Sequence, residues 1–555
     1  MTVAFPNGVN CPLYTHAVAM MRSAEFPSAE ALMRQSLQSE GETAISYHYL
    51  AEIVASDPAR IREAIGWQQK ALSLAPHNSV FIAALGSRLR DGGLEKEALE
   101  VLEYALEVDE NNAIALPLIL RLRRQFLAWT DAEQETATLQ RQLSHQHKFA
   151  PLTLLTLIDD PELQLANARL AAPVSRQIDL RPHPPGDRIR VGYFSADIYD
   201  HPTMHLFEGA LRAHDRDRFE FFVYDLAPRE GSYQQLVQEI ADTYRDVSAI
   251  SAGQIAEVAR RDQIDIAIDL KGDTFQSRPE IFAHRAAPAQ VSFLGFPGTS
   301  GMADMDFMVA DPITIPPEAE HCYSERILRM PQCYQPNTNP RYSPADTNMR
   351  DRFGIPQDRF VFATFNNIYK IGPREFATWM EILKAAPDSV LVFYLSNLDL
   401  KDRLIAKVKA AGVDPDRVIL TGPLPQKDHL DRISQVDLCL DCFSYNAHTT
   451  ASDAIWCGVP ILTLCGEQFA ARVATSILHA ANLAELSVTS VADYVQLAAA
   501  LAKDTERLSR IKRQLKEERD QLPLFDTQTW TRDFEGLLEA VYQESRAPAG
   551  LDLPG

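Results

Sequence analysis

From residue 189 onward, short apolar segments of strand length alternate with longer amphipathic segments. The first set of apolar segments is IRVGYFSAD, FEFFVYDL, IDIAIDLKG and AQVSFLGFPG. The second set follows a long polar segment and comprises FVFATFNN, SVLVFYLSN, RVILTGPL, VDLCLDCF and VPILTLCG. Strands that alternate with helices form parallel sheets. The sequence therefore predicts two Rossmann-like lobes in series, with a ligand in the cleft between them, because open parallel sheets bind at the carboxyl ends of their strands.

The first 150 residues show a different pattern, an internal repeat. AIGWQQKALSLAPHN (64–78) matches ALEVLEYALEVDENN (98–112) after a shift of 34 residues. This period, with alanines where paired helices approach, is typical of tetratricopeptide repeats. Such an array has a concave surface that binds peptide segments. The alternative is that an array this short only packs on the next domain.

These patterns divide the chain into three units. We expect a tetratricopeptide-like helical region at 1–150, an N-terminal Rossmann-like lobe with its linker at 151–345, and a C-terminal Rossmann-like lobe with closing helices at 346–555. The Pro-rich segment VSRQIDLRPHPPGDR (174–188) precedes the first strand. The predicted fold class is α + α/β, with helical repeats followed by two parallel-sheet lobes.

The charge and the cysteines exclude several classes of function. The net charge of −21 disfavours nonspecific attraction to nucleic acid or to an anionic membrane, so we predict neither as a partner. The sequence has no apolar run of membrane-spanning length and no secretory signal, and we expect a cytoplasmic protein. Cys439 and Cys442 form a CxxC inside a predicted strand, where core packing is favoured over a redox or zinc role.

A polar run, Asn446 to Asp453, interrupts apolar sequence where a predicted strand gives way to a helix. Thr449 and Thr450 stand at the start of that helix, where free N–H groups and the helix dipole favour an anion such as a nucleotide diphosphate. His448 adds a further donor. Thr450 and Asp453 also have the spacing of a capping box, and the residues alone leave Asp453 open between capping and ligand contact.

Separated motifs give the chain a family resemblance. In chain order they are HPTMHL, FLGFPGTSG, YSERILRMPQCYQPN, FATFNNIYKIGP and YNAHTTASDAIWCGVP. They occur in the same order in the O-linked N-acetylglucosamine transferases of the SPINDLY-like group, which this chain resembles from about residue 188 to 530. The resemblance implies a GT-B glycosyltransferase that moves N-acetylglucosamine from UDP-N-acetylglucosamine to Ser or Thr hydroxyls of proteins, with inversion and without a metal or other cofactor.

The resemblance also assigns two catalytic residues. His201 matches the family histidine at the acceptor side and is the candidate base, since its pKa in free solution lies near neutrality. Lys370 matches the lysine that faces the leaving phosphate. The alternatives are a structural histidine after the first strand and a solvated lysine. Asp304 and Asp306 form a DxD triplet, to which we assign no metal.

The remaining residues implied by the resemblance bind the donor or form a loop beside the sugar and acceptor. The donor-binding residues are Asn367, Leu424, Gln426, His429, Arg432, His448, Thr449, Thr450 and Asp453. The loop residues are Pro297, Gly298 and Thr299.

Three positions depart from the animal enzymes of the family. Asn367 replaces a glutamine, Gln426 a lysine and Tyr445 a cysteine. Two alternatives therefore stay open. One is the same fold with another donor, GDP-fucose or UDP-glucose, and the other is an inactive transferase-like body that serves as a repeat-based, peptide-binding adaptor.

Overall fold

The computed structural model of the chain describes residues 12–22, 26–129, 137, 140 and 149–546. It contains an N-terminal helical array and two parallel sheets, as predicted. Within these described residues, no helix has the length and apolar character needed to cross a membrane.

The N-terminal array is built from antiparallel helix pairs. Its helices are α1 (Pro12–Arg22), α2 (Phe26–Ser39), α3 (Ala44–Ala55), α4 (Ile61–Leu74), α5 (Ser79–Asp91), α6 (Glu95–Val108) and α7 (Ala115–Gln125). The 34-residue repeat falls on α4 and α6, the second helices of successive pairs. The alanines that match between the two copies are fully buried: Ala64, Ala71, Ala98 and Ala105.

Close helix packing and helix capping hold the array together. A Cβ placed on Gly86 of α5 would lie 2.5 Å from Leu102 of α6, so the two helices approach too closely for any side chain there. Asn78 accepts a hydrogen bond from the backbone N–H of Phe81 (3.1 Å) and thereby caps α5. Asn112, its partner in the repeat, accepts from Ala115 N–H at the start of α7 (3.0 Å).

The first lobe is a parallel sheet in the order β3-β2-β1-β4-β5-β6-β7. Its strands are β1 (Ile189–Ser195), β2 (Phe219–Asp225), β3 (Thr243–Asp246), β4 (Ile266–Asp269), β5 (Ala289–Ser292), β6 (Phe307–Ala310) and β7 (Arg326–Arg329). The helices of this part of the chain are α8 (Pro151–Leu157), α9 (Pro161–Ala171), α10 (Pro202–Ala213), α11 (Ser232–Ile240), α12 (Ala252–Arg261) and α13 (Glu280–Ala283). The predicted strands of this lobe are all present.

The second lobe is a parallel sheet in the order β10-β9-β8-β11-β12-β13. Its strands are β8 (Phe360–Thr364), β9 (Ser389–Tyr394), β10 (Val418–Thr421), β11 (Leu438–Leu440), β12 (Ile461–Leu464) and β13 (Ser487–Val488). Its helices are α14 (Pro373–Ala385), α15 (Lys401–Ala410), α16 (Gln426–Ile433), α17 (Thr449–Trp456), α18 (Val473–Ala480), α19 (Val491–Lys503) and α20 (Thr505–Glu517). The predicted strands of this lobe are also present, and Cys439 and Cys442 are free and buried in its core, as predicted.

Two connections tie the lobes together. The last helix, α21 (Thr527–Arg546), returns to the first lobe, where Glu535 accepts a hydrogen bond from the backbone N–H of Asp215 (2.8 Å). Asp159, between α8 and α9, accepts hydrogen bonds from Glu467 N–H (3.0 Å) and Gln468 N–H (2.8 Å) of the second lobe. Segments that are more than 300 residues apart in the sequence are therefore hydrogen-bonded to each other across the two lobes.

Candidate active site

A cavity of about 610 Å³ lies between the two lobes, where loops leave the carboxyl ends of their strands. Nine of the predicted site residues line it: His201, Asn367, Lys370, Leu424, His429, Arg432, His448, Thr449 and Thr450. The predicted residues outside its lining are Gln426, Asp453, Pro297, Gly298 and Thr299. The first group is drawn from both lobes, so the cavity is shared by the two sheets.

Asp441, at the end of β11, shapes the polar run on the second-lobe wall. Its Oδ1 accepts the backbone N–H of Ala447 (2.6 Å), and its Oδ2 accepts the hydroxyl of Thr463 (2.7 Å). Asn446 is fully buried and donates its side-chain amide to the carbonyl of Cys442 (2.8 Å). These polar side chains hydrogen-bond the backbone of the loop that connects β11 to α17. The polar run therefore has a structural role in the turn from strand to helix.

Lys370 lies in a short turn after β8 and reaches the same loop. Its Nζ donates to the carbonyl oxygen of Asn446 (3.0 Å) and lies 3.9 Å from the centre of the Tyr445 ring. Burial lowers the pKa of Lys370 to about 8, although the nearby Cys442 and Asp441 act in the opposite direction. The ammonium group is therefore charged at neutral pH and is held at the cavity wall by the Asn446 carbonyl.

The helix α17 points its N-terminus into the cavity. His448 is its N-cap residue and makes no side-chain capping bond, and Thr449 and Thr450 form the first turn. The first N–H groups of a helix have no partner within it and carry the positive end of the dipole. Burial lowers the pKa of His448 well below its ordinary value, so its ring is neutral. An anion fits this helix end.

Asp453 is not a helix cap. The helix begins at Thr449 and Thr450 lies inside it, so the predicted capping box does not form. Instead, the Asp453 carboxylate pairs with Arg341 of the inter-lobe linker (Nη1–Oδ1 2.8 Å), and both side chains are only 10% exposed. Burial raises the pKa of Asp453, while Arg341 opposes that shift.

A hydrogen-bonded pair on α16, the buried Arg432 and the half-buried His429, forms another part of the second-lobe wall. Arg432 Nη2 donates to His429 Nδ1 (2.8 Å), and Arg432 Nη1 donates to the carbonyl of Gly422 (2.8 Å). The Arg432 side chain thereby fixes the loop that carries Leu424, a cavity residue. Burial lowers the pKa of His429 to about 4, so the ring is neutral, and with Nδ1 accepting, its hydrogen is on Nε2.

His201 forms part of the first-lobe wall and caps α10. Its Nδ1 accepts the backbone N–H of Thr203 (3.2 Å), so in this arrangement the neutral ring carries its hydrogen on Nε2. Burial lowers the pKa of His201 to about 4. The nearby Asp197 carboxylate lies 3.7 Å from Nδ1 and can pair with that nitrogen only when the ring carries a hydrogen on it.

Asp197 and Lys271 are cavity residues that our sequence reasoning missed. Lys271 Nζ contacts both carboxylate oxygens of Asp197 (2.6 and 2.7 Å), and both residues are 4% exposed. Burial lowers the pKa of Lys271, and Asp197 opposes this. The signal available in the sequence was that each residue lies at the carboxyl end of a predicted strand; the structure adds that these strands, β1 and β4, are neighbours in the sheet.

The predicted loop residues Pro297, Gly298 and Thr299 are buried beside the cavity rather than in its wall. The buried carboxylate of Glu325 holds this loop by accepting the hydroxyl of Thr299 (2.7 Å). Gly295 does line the cavity, and a Cβ there would meet a backbone carbonyl at 2.1 Å.

The DxD carboxylates have other partners. Asp304 accepts the hydroxyl of Ser175 (2.8 Å), and Asp306 pairs with Arg285 (2.9 Å). Neither residue lines the cavity. In the part of the chain that the structure describes, no group of three or more His, Cys, Asp or Glu side chains is placed to hold a metal ion.

Comparisons with known proteins identify the family of the chain. The model of glycosyl transferase family 41 matches residues 173–337 and 342–534. A solved structure of a mutant O-GlcNAc transferase from Thermobaculum terrenum is similar over 96% of this chain and 97% of that chain, with a TM-score of 0.70 and 26% identity.

Two curated relatives are similar to about two thirds of the chain. A probable UDP-N-acetylglucosamine–peptide N-acetylglucosaminyltransferase of Arabidopsis thaliana is 37% identical over 355 residues, which are 63% of this chain and 36% of the relative. The corresponding Caenorhabditis elegans transferase is 26% identical over 480 residues, 66% of this chain and 42% of the relative. The chain thus spans about two fifths of these relatives' lengths. Because the family model covers well over half of its residues, the chain belongs to glycosyl transferase family 41.

Proposed function

We propose that this chain is an inverting protein O-glycosyltransferase that moves N-acetylglucosamine from UDP-N-acetylglucosamine to Ser or Thr hydroxyls. The observation that carries the proposal is the inter-lobe cavity. Lys370 and the N-terminus of α17 line it from the second lobe, and His201 lines it from the first. The names of the relatives support the choice of donor and acceptor.

In the proposed reaction, the acceptor oxygen attacks the anomeric carbon while the bond to the diphosphate breaks. The departing UDP gains negative charge at its β-phosphate. Lys370 and the first turn of α17, with Thr449 and Thr450, supply fixed positive charge and donors for that charge, which is the most effective way for a site to stabilise a leaving group. His448 sits at the same helix end as a neutral donor or acceptor.

We propose His201 as the catalytic residue at the acceptor side. To receive the acceptor proton on Nε2, the ring must carry its other hydrogen on Nδ1. Asp197 is the acceptor for that hydrogen, since its Oδ2 is 3.7 Å from Nδ1 and a small ring rotation would shorten the distance. Lys271 holds Asp197 in place through contacts to both of its carboxylate oxygens. His201 would therefore have two arrangements. In one, Nδ1 accepts the Thr203 N–H and caps α10; in the other, Nδ1 carries the hydrogen that Asp197 accepts, and Nε2 takes up the acceptor proton.

The nucleoside of the donor is proposed to lie against the α16 side of the cavity. Backbone groups of the loop at Leu424 and Gln426 would contact uracil, and His429 would donate from Nε2. Gln426 begins α16 with an exposed side chain, so its departure from lysine is consistent with a backbone role. Asn367 lies at the rim near Lys370.

Asp453 is proposed to bind the ribose through one oxygen only. Its Oδ1 is engaged by Arg341, and that leaves Oδ2 for a ribose hydroxyl. This arrangement would place Arg341 behind the carboxylate as a positioning residue. Pro297, Gly298 and Thr299 are proposed to support the sugar by holding Gly295 at the cavity wall.

The acceptor is proposed to approach from the open side of the cavity and along the helical array at 1–150. Phe275, at the cavity edge, is 64% exposed, an unusual environment for a large aromatic side chain and one suited to packing against a peptide. The lobes at 151–345 and 346–555 would then bind acceptor and donor, respectively.

A thermal-shift panel of UDP, GDP, UDP-N-acetylglucosamine, UDP-glucose and GDP-fucose tests the donor, because a ligand that binds only the folded state raises its stability. We expect UDP and UDP-N-acetylglucosamine to give the largest shifts, and transfer of labelled N-acetylglucosamine to a protein acceptor to follow. A larger shift with GDP-fucose would overturn the donor assignment. Binding of UDP without any transfer of N-acetylglucosamine, either to a protein acceptor or to a mixture of peptides, would favour the adaptor alternative.

A further inference from the structure

A second cavity, of about 520 Å³, lies in the C-terminal lobe and shares no lining residue with the inter-lobe cavity. It is bordered by the linker at 343–348, the end of α16, Cys457 after α17, and the helix α20. Its volume is in the range of small-molecule sites.

The lining of this cavity is cationic in a chain whose net charge is −21. Four basic side chains line it: Arg350, Lys512, Lys516 and Arg519. The acidic groups that pair with them are Asp346 in the lining, Asp437 behind it, and the exposed Asp520. Asp437 is shared between Arg350 (2.9 Å) and Lys512 (3.2 Å), and Asp520 lies 3.9 Å from Arg519, so three carboxylates stand against four cations.

The two lysines retain donors for a ligand, since each ammonium group has three. Among the described residues, Lys516 pairs with Asp346 alone, a carboxylate that is 87% exposed, and Lys512 donates to Asp437 (3.2 Å) and to the carbonyl of Val436 (2.9 Å). Arg519 donates from Nη1 to the Ser343 hydroxyl (2.7 Å) and its Nε lies 3.9 Å from Asp520, while the nitrogens of Arg350 are all engaged by Asp437 and backbone carbonyls. An anion with several oxygens would satisfy these donors.

The remaining lining narrows the class of anion. Hydroxyl and amide side chains contribute Thr347, Asn348, Gln357, Ser434 and Gln435. None of the described lining residues is aromatic, in contrast to the inter-lobe cavity with Phe365, Tyr369, Tyr394 and Tyr445. Nucleobases are commonly held by aromatic stacking, whereas lysine and arginine match phosphate oxygens.

We propose that this cavity binds a small phosphorylated compound without a nucleobase, such as a pyrophosphate or a sugar phosphate. The site is separate from the proposed donor site. The helix α17 connects the two cavities. Its first turn lines the donor cavity, and at its other end Cys457 lines the second cavity and the carbonyl of Trp456 accepts a hydrogen bond from Arg519 (3.2 Å).

Calorimetric titration of the full chain tests this proposal. Pyrophosphate and a hexose 6-phosphate are titrated separately in the presence of saturating UDP, which fills the proposed donor site. The titrations are repeated without UDP in Lys370→Ala, in which anion binding in the inter-lobe cavity is weakened, so that a failure of UDP to bind does not obscure the result. We expect at least one of the two compounds to bind under both conditions, and the one that binds more tightly identifies the ligand class.

Two variants locate the site. Lys516→Gln should weaken the binding about ten-fold or more, because a charge-assisted contact is lost. Arg513→Gln removes a charge from an exposed position of the same helix outside the cavity and should leave the affinity unchanged. Absence of binding by both compounds, an unchanged affinity in Lys516→Gln, or an equal loss in both variants would overturn the proposal.

Discussion

Arg341 and Asp453 form a buried ion pair that joins the inter-lobe linker to the helix at the proposed diphosphate site, with 2.8 Å between Nη1 and Oδ1. Arg341 also donates to the carbonyl of Ser452 (3.2 Å), and its guanidinium lies 4.7 Å from the centre of the Trp456 ring. The pair therefore fixes the linker against α17, and it gives Asp453 a structural role that is distinct from capping.

We predict that Asp453→Asn lowers both the stability and the UDP affinity. Removing one partner of a buried ion pair costs about 3 kcal/mol, because the other charge is left uncompensated. Loss of a charge-assisted contact to the ribose should also weaken UDP binding about ten-fold. A melt of the free protein measures the first effect and calorimetric titration of UDP the second. Arg341→Gln, which disrupts the same pair but keeps the carboxylate, is the control.

If Asp453→Asn melts earlier but binds UDP as tightly as the unaltered chain, Asp453 acts only through Arg341. That result would remove Asp453 from the proposed donor site, and its role would be limited to the ion pair with Arg341.

We predict that Lys370→Ala lowers turnover by a factor on the order of 100 or more while the protein stays folded, since the lost charge acts mainly on the developing diphosphate. Steady-state transfer kinetics and a melting curve measure the two properties. Lys401→Ala, at an exposed position of α15, provides a matched lysine control. Near-normal transfer by Lys370→Ala would exclude this residue from the mechanism.

The pKa of Lys370 gives a pH prediction with a definite sign. Burial places this pKa at about 8, below the ordinary lysine value, so the free protein loses the Lys370 charge as the pH rises through 8. UDP affinity should therefore be constant near pH 7 and should fall above pH 8, by up to about ten-fold per pH unit for one proton. Titrations between pH 6.5 and 9.5 measure this, and the fall should be absent in Lys370→Ala.

The sequence located the site better than it described its contacts. The polar run, His201 and Lys370 follow strands, and the carboxyl ends of parallel strands meet at one edge, so their convergence could be predicted. The partner of Asp453 could not, because Arg341 lies 112 residues away in a linker without periodic pattern. Asp197 and Lys271, 74 residues apart, pair because β1 and β4 are adjacent, an order that the strand sequences do not encode.

Short strands were missed for a related reason. The edge strands β3 (TYRD) and β7 (RILR) carry charged residues and are partly exposed, so they lack the apolar run by which the central strands were recognised. The same limit applies to Gln426 and Pro297, since a motif identifies a position but not whether its side chain or its backbone faces the cavity.

We predict that transfer is unaffected by a chelator. Asp304 and Asp306 are engaged by Ser175 and Arg285, away from the cavity, and the proposed charge stabilisation comes from Lys370 and α17. Activity in excess EDTA should equal that in its absence. Restoration of a lost activity by added manganese would instead bring the DxD triplet back as a metal site, and Asp306→Asn would then abolish the response.

The last prediction separates the two roles of His201. As N-cap of α10 its Nδ1 accepts the backbone N–H of Thr203, a function that asparagine performs equally well. His201→Asn should therefore keep the melting temperature while lowering turnover by a factor on the order of 100, because the amide cannot take up a proton. His201→Ala should lose the cap as well, at a cost of about 1 kcal/mol in stability. If His201→Asn transfers sugar at the normal rate, capping is the whole role of this residue, and the proton must be taken by another group, for which Asp197 is the nearest carboxylate in the cavity wall.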